Sequence, residues 1–274
     1  MQNLSEAYAA EARKRWMVTW VSGAHADRQA EAQDTASLLR LPIESPKAAS
    51  AWLTDNPERQ LLVVRRDGRP SVRPANAKPW VWHLGMAKSR IACVRRGEPD
   101  RLVRALALSP AHPVVFDGHL GLAHDALVVA ASGARVIGAE IDPILAYITE
   151  CGLRGLASAS TEMRELVSRI EIYTGHHLDI MRETLGRWSM AMFSPMFISP
   201  DFKSPDMVAW RKLASHAPLS LEALRFAQSE SERVVVKVLQ DEIKHLPEPT
   251  SILEKHRRRL SYACYDRLSD SREE

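Results

Sequence analysis

The rhythm of polar and apolar positions changes near residue 105. Before that point, a charged helical pattern over residues 2–16 leads into a short apolar run at 18–21 that predicts a strand. Residues 24–41 read as a helix stopped by Pro42, and 47–53 as a short helix ending before Asn56-Pro57. The apolar run 61–64, then Asp67-Gly68, then a polar strand, form a hairpin pattern. Residues 1–104 therefore predict a small α/β extension, with the first helix acting as a lid. Beyond it, strands at 114–116, 135–139, 169–173, 189–193, 233–239 and 260–265 alternate with helices at 125–131, 143–152, 178–185 and 220–229. That alternation predicts an α/β, doubly wound, mostly parallel sheet over residues 105–274.

Sheets of this kind bind ligands outside the carboxyl ends of their strands. The first of these strands runs into "FDGHLGLAHDA". Asp117 ends the strand, Gly118 and Gly121 allow a tight turn with backbone open to a ligand, and Asp125 falls near the start of the next helix. Glu140 ends the second strand, 23 residues after Asp117, where an acid can accept both ribose hydroxyls of an adenosine. The loop is not G-x-G-x-x-G, and acids flank it. Such flanks suit a cationic ligand better than a pyrophosphate, and S-adenosylmethionine (SAM), with its ammonium and sulfonium, fits. A later strand ends in Ser194-Pro195-Met196-Phe197, a small polar residue, a proline and an aromatic, a pattern that builds active-site floors.

The stretch "VVFDGHLGLAHDALVVAASGARVIGAEIDPILAYITECGLRG" resembles the class I SAM-dependent methyltransferases, in particular the branch that includes the bacterial small-subunit rRNA guanine-N2 methyltransferases. That branch carries D-x-T-x-G-L-G-x-D-A, then E-x-x-P, D-P-M-F and V-V-V-K. Residues 117–126, 140–143, 194–197 and 234–237 occupy those places, and the resemblance spans roughly residues 60–265. It implies a seven-stranded, methyltransferase-like Rossmann sheet that binds SAM. Asp117, Gly118 and Gly121 would line the methionine and sugar, with Asp125 nearby. Glu140 would hold the ribose, His176 and His177 would sit by the adenine, and Phe197 would lie beside the cofactor. Lys88, Arg90 and Asp100 would lie near the amino-acid end of the cofactor.

Three positions depart from that pattern: His119 replaces Thr, Ala123 replaces Gly, and Ser194 replaces the Asp of D-P-M-F. Serine is shorter, uncharged, and both donor and acceptor. Losing a preorganised acceptor for an attacking amine typically slows a step by ~10²-fold or more. Together with a net charge of only +3, this makes RNA guanine methylation doubtful, so nucleic acid is an unlikely partner and a small molecule the expected substrate. The favoured reaction needs no separate acceptor. SAM's own α-amine displaces methylthioadenosine from its γ-carbon and closes azetidine-2-carboxylate, with Ser194, His119 and Phe197 as catalytic residues and His119, near neutrality, as proton acceptor. Methyl transfer to a small-molecule, RNA or protein amine is the alternative, and an inactive SAM-binding scaffold is the third reading.

Composition adds bounds rather than direction. With 45% apolar residues, the chain can bury a substantial core. Cys93, Cys151 and Cys264 are far apart, with neither metal-ligand nor disulfide spacing, which points to a reducing cytoplasm and no bound metal. No apolar run reaches the ~18 residues that cross a membrane. A homodimer is left open. The basic clusters Arg65-Arg66, Arg95-Arg96 and 255–259 read as solvated faces.

Overall fold

A computed structural model describes residues 6–23, 26–85, 87–98, 100–108, 113–196, 219–255 and 258–267. The described chain divides into two compact units: residues 6–83 with 143–155, and residues 84–142, 156–196 and 219–267.

In the first unit, α1 (Glu6–Arg15) runs directly into β1 (Trp16–Trp20). Helices α2 (Ala26–Leu39) and α3 (Pro46–Thr54) follow, then β2 (Gln60–Val64), β3 (Pro70–Pro74) and β4 (Trp80–Val81). Helix α3 starts where sequence chemistry dictates: Ser45 accepts from the Ala48 N–H, and Pro46 brings a fixed φ to the first turn. The sheet order is β1-β2-β3-β4, with β1 parallel to β2 and the remaining pairs antiparallel. The expected hairpin is β2–β3; Gly68 takes φ +75° in its turn. Met17, Ala49, Leu53 and Leu61 form one cluster of the core.

The second unit contains α4 (Ala87–Arg95), α5 (Arg101–Leu106), β5 (Val114–Asp117), α6 (His124–Ala131) and β6 (Arg135–Glu140). After α7 (Pro143–Ala157) come α8 (Thr161–Val167), β7 (Ile170–Thr174), α9 (His177–Glu183), β8 (Met190–Phe193) and α10 (Leu221–Glu230). β9 (Arg233–Leu239), a 3₁₀ turn (Gln240–His245), β10 (Ser251–Lys255) and β11 (Arg258–Asp266) complete it. The strand order is β10-β11-β9-β8-β5-β6-β7. β5 to β9 run parallel, and β11 is antiparallel to both its neighbours. This is the expected seven-stranded, mostly parallel α/β sheet.

Residues 143–155 of α7 pack within the first unit. There the Tyr147 and Thr35 hydroxyls lie 2.9 Å apart, and the Trp82 ring fills the space beside Gly152 that a Cβ would need. In the second unit, Phe116, Trp188, Phe193, Val234, Val236 and Tyr265 share one core with α9 and α10. Among the described residues no helix is long and apolar enough to cross a membrane.

Candidate active site

The register of the parallel strands places the chemistry. Asp117 ends β5 level with Gly138 of β6 and Met192 of β8, and Phe193 lies level with Val236 of β9. One residue further on each chain, Ser194 and Lys237 lie at the same height. Side chains alternate across a strand, and Val234, Val236 and Val238 face the core shared with α9 and α10. Lys237 therefore projects from the opposite face, where it meets Asp125 of the first turn of α6.

That meeting is one corner of a charged network. Lys237 Nζ donates to Asp125 Oδ2 at 2.6 Å, and Arg90 of α4 donates to Asp125 Oδ1 at 2.5 Å. Arg90 also grips Asp100 in two 2.9 Å bonds, and Asp100 caps α5 by accepting from the Leu102 N–H. Ser194 donates its hydroxyl to Asp125 Oδ2 at 3.3 Å. Burial works against the Asp125 anion, but Lys237 and Arg90 outweigh it and hold the carboxyl well below its ordinary range. Burial likewise opposes the Lys237 ammonium, and the Asp125 charge more than restores it. The serine faces an acceptor that stays ionised, so its own proton is committed there.

On the other side of β5, the loop 118–123 is closely fitted. The Gly118 N–H reaches Met192 O at 2.9 Å, and a Cβ at Gly118 would come within 2.3 Å of the Phe193 ring. The Leu120 N–H is tied to Ala139 O, and the Gly121 N–H donates to Glu140 Oε2 at 2.9 Å. Glu140 Oε1 accepts from the Asp142 N–H at 2.9 Å. Gly121 and Ala123 both have positive φ, +54° and +58°. Ala123 thus holds the left-handed geometry for which the family pattern uses Gly.

Asp117 is 1% exposed and Glu140 6% exposed. Burial first, then the nearby Asp125 charge, pushes the Asp117 carboxyl up to about 7, and burial pushes Glu140 up to about 7. Beyond the loop, His119 packs 5.0 Å from His177, and both rings meet Phe193 edge-on at 5.8 Å. His176 lies 4.2 Å from His177 and turns its Nδ1 to the Leu178 N–H as the cap of α9. Buried His119 Nδ1 and His177 Nε2 have no hydrogen-bond partner among the described residues.

The sequence predicts a His119 that titrates near neutrality and takes a proton. Instead burial, with His177 and His176 beside it, lowers it to about 3. It is a neutral imidazole at physiological pH and a poor base.

Of the residues expected at the site, Asp117, Gly118, His119, Gly121, Glu140 and His177 gather around the β5 and β6 ends, and Arg90, Asp100, Asp125 and Ser194 form the charged network. Lys88 is exposed on α4 and outside that network. Phe197 lies outside the described residues. Lys237 was not anticipated as a site residue. Its signal was a lone charge inside the valine run of β9, a strand that is otherwise core.

These atoms suit SAM. A carboxylate has about four lone-pair positions, and Glu140 receives two backbone bonds, so acceptor capacity remains for ribose hydroxyls. The orphaned imidazole nitrogens match the polar edge of a purine. Two carboxyls whose ionisation burial opposes suit a ligand bringing positive charge. The residues fit.

Comparison with known proteins agrees. Residues 59–265 match the family described as "putative SAM-dependent methyltransferase". The chain belongs to this family of SAM-dependent methyltransferases. It is 28% identical over 172 residues to ribosomal RNA small subunit methyltransferase J of Pseudomonas syringae pv. syringae, an alignment covering 62% of this chain and 61% of that protein. It is 27% identical over 215 residues to ribosomal RNA small subunit methyltransferase J of Pseudomonas fluorescens, covering 76% and 80%. The chain thus spans less than two thirds of the length of the first of these relatives. The crystal structure of a SAM-dependent methyltransferase from Neisseria gonorrhoeae superposes with a TM-score of 0.62 over 92% of this chain and 96% of that one, at 19% identity, and shares the fold.

Two expectations change. The exclusion of nucleic acid in favour of a small-molecule substrate is overturned, because these relatives are ribosomal RNA methyltransferases. That exclusion rested on Ser194 in the acceptor motif and on net charge, and net charge is a sum over the whole chain that hides how cations are distributed. The family supports methyl transfer, the alternative reading, and nothing in the comparisons supports ring closure with release of methylthioadenosine.

Proposed function

We propose that this methyltransferase methylates a nitrogen of small-subunit ribosomal RNA with SAM as the donor. The substrate class rests on the relatives, which carry that activity in their names. Nitrogen as the target rests on the hydrogen bond from Ser194 to Asp125.

Where the resembling branch uses Asp to accept from the nucleophilic amine, this chain has a hydroxyl whose single proton is already spent. Both Ser194 lone pairs are then presented outward, so the residue acts as an acceptor only. The negative charge behind the hydroxyl is that of Asp125, which Arg90 and Lys237 hold. Such an acceptor orients an N–H and aims the nitrogen lone pair away from itself. Bound SAM supplies a sulfonium methyl: the N–C bond forms as the S–C bond breaks, and the amine sheds one proton. With His119 a poor base, that proton passes to water. Glu140 would hold the ribose, and His119 and His177 would offer their free nitrogens to the adenine.

Ser194→Ala tests the role of the hydroxyl. The expected outcome is a kcat on rRNA reduced ~10- to 100-fold with SAM affinity within about twofold. An unchanged kcat would remove Ser194 from the chemistry.

A further inference from the structure

The positive charge of this chain is unevenly distributed along the sequence. Residues 60–78, the β2–β3 hairpin and the turn after it, carry Arg65, Arg66, Arg69, Arg73 and Lys78 against one acid, Asp67. This stretch of 19 residues has net charge +4, while the whole chain has +3. The other 255 residues therefore sum to −1.

Several basic side chains elsewhere meet acids. Arg95 pairs with Glu162 at 2.5 Å and Arg96 with Glu98 at 2.7 Å, so that cluster is neutralised in place. Arg182 pairs with Glu222, Arg187 with Glu171 and Arg233 with Asp266. In the hairpin, Asp67 alone serves both Arg69, at 2.7 Å, and Arg65, at 3.5 Å. Arg66, Arg73 and Lys78 are exposed and make no ion pair among the described residues. Arg59, just before the hairpin, is excluded from this count because Asp55 and the Trp52 carbonyl hold it.

Unpaired like charges on one hairpin repel each other and contribute nothing to folding. They also lie in a strip rather than a pocket. From Arg69 to Arg73 the chain is extended, which spans roughly 13 Å at about 3.3 Å per residue. A single small anion would engage one end of that strip, whereas a polyanionic backbone engages its length.

We infer that the β2–β3 hairpin docks the phosphate backbone of RNA, with Arg66, Arg73 and Lys78 as phosphate contacts. This rests on the proposed action on rRNA. The hairpin supplies affinity that is independent of sequence, and the site at the carboxyl ends of β5, β6 and β8 supplies the chemistry.

The test is the triple variant Arg66→Gln, Arg73→Gln, Lys78→Gln, measured against a control of equal charge loss elsewhere: Arg104→Gln, Arg164→Gln, Arg225→Gln. None of the six residues belongs to the catalytic network. For the hairpin variant, we expect the KM for rRNA to rise about tenfold or more, with kcat at saturating RNA and the Kd for SAM within about twofold of wild type. The slope of log affinity against log salt should fall in magnitude by about 2, since each lost phosphate contact removes about 0.7 to 0.9. The control should change KM by less than about threefold. If wild type methylates rRNA and the hairpin variant keeps its KM and salt slope, or the control weakens binding equally, the docking surface is wrong while the substrate reading stands. If wild type neither binds nor methylates rRNA, the substrate reading fails and this inference with it.

Discussion

Asp125 is the residue on which the site's electrostatics turn. It is the shared anion for Arg90 and Lys237, and it receives the Ser194 proton. Removing one partner of a buried ion pair strands the other. Asp125→Ala strands the buried Lys237, while Arg90 keeps Asp100, and should destabilise the protein by about 3 kcal/mol. Lys237→Met leaves Asp125 its bond to Arg90 and replaces the lysine with an apolar chain of similar volume, so its cost should be nearer 1 kcal/mol. Chemical denaturation of both variants checks the order, and a Lys237→Met that costs more than Asp125→Ala would contradict it.

Glu140 gives a pH signature with a definite sign. Its carboxyl sits at about 7 when folded, and near 4.3 in an unfolded chain. Its share of stability is complete below pH ~4 and disappears as pH rises through 7. Asp117 behaves alike. His119 and His177, lowered to about 3 and about 4, work in the opposite direction, favouring folding above pH ~6.5. The two pairs largely cancel between pH 5 and 6 in the whole protein. Glu140→Gln removes one of the two carboxyls from that balance and leaves Asp117 against the two histidines. Without SAM, the stability of Glu140→Gln relative to wild type should improve from pH 5 to about pH 7 and then level off; a constant difference from pH 5 to pH 7 would mean that Glu140 titrates normally.

At the scale of elements, the strand–helix alternation was legible because β5 to β9 are short apolar runs separated by turn residues. Helix α8 and strand β10 were not. The first is a seven-residue helix packed against α6, and the second mixes polar and apolar positions because it forms the edge of the sheet. The loop motif was legible down to its acids, and so was Ser194 as a departure. The network joining Ser194 to Asp125, Arg90 and Lys237 was not, since its partners lie 35 to 112 residues apart and meet only through register. The environment that quiets His119 is equally non-local. Tight packing between the β5 loop and the end of β8 makes a prediction at this scale. Gly118→Ala drives a Cβ into the Phe193 ring and should cost about 1–3 kcal/mol while weakening SAM binding. Adding Phe193→Leu should recover part of that loss, so the double variant is less destabilised than the sum of the two singles. Simple additivity would show that the clash is relieved elsewhere.

For the whole molecule, the sheet order and the family match make a SAM-dependent methyltransferase, and the open question is where the methyl group goes. A net charge of +3 looked like evidence against a polyanionic partner, yet one hairpin of the first unit carries net +4 by itself. The fold alone does not separate methyl transfer from ring closure, because both start from the same bound sulfonium. Their products do. The decisive measurement is mass spectrometry of reactions with SAM, run with and without unmethylated small-subunit rRNA. The account predicts S-adenosylhomocysteine and methylated rRNA in equal amounts when RNA is present, and no turnover when it is absent. Methylthioadenosine formed from SAM alone, above its spontaneous background, would contradict it.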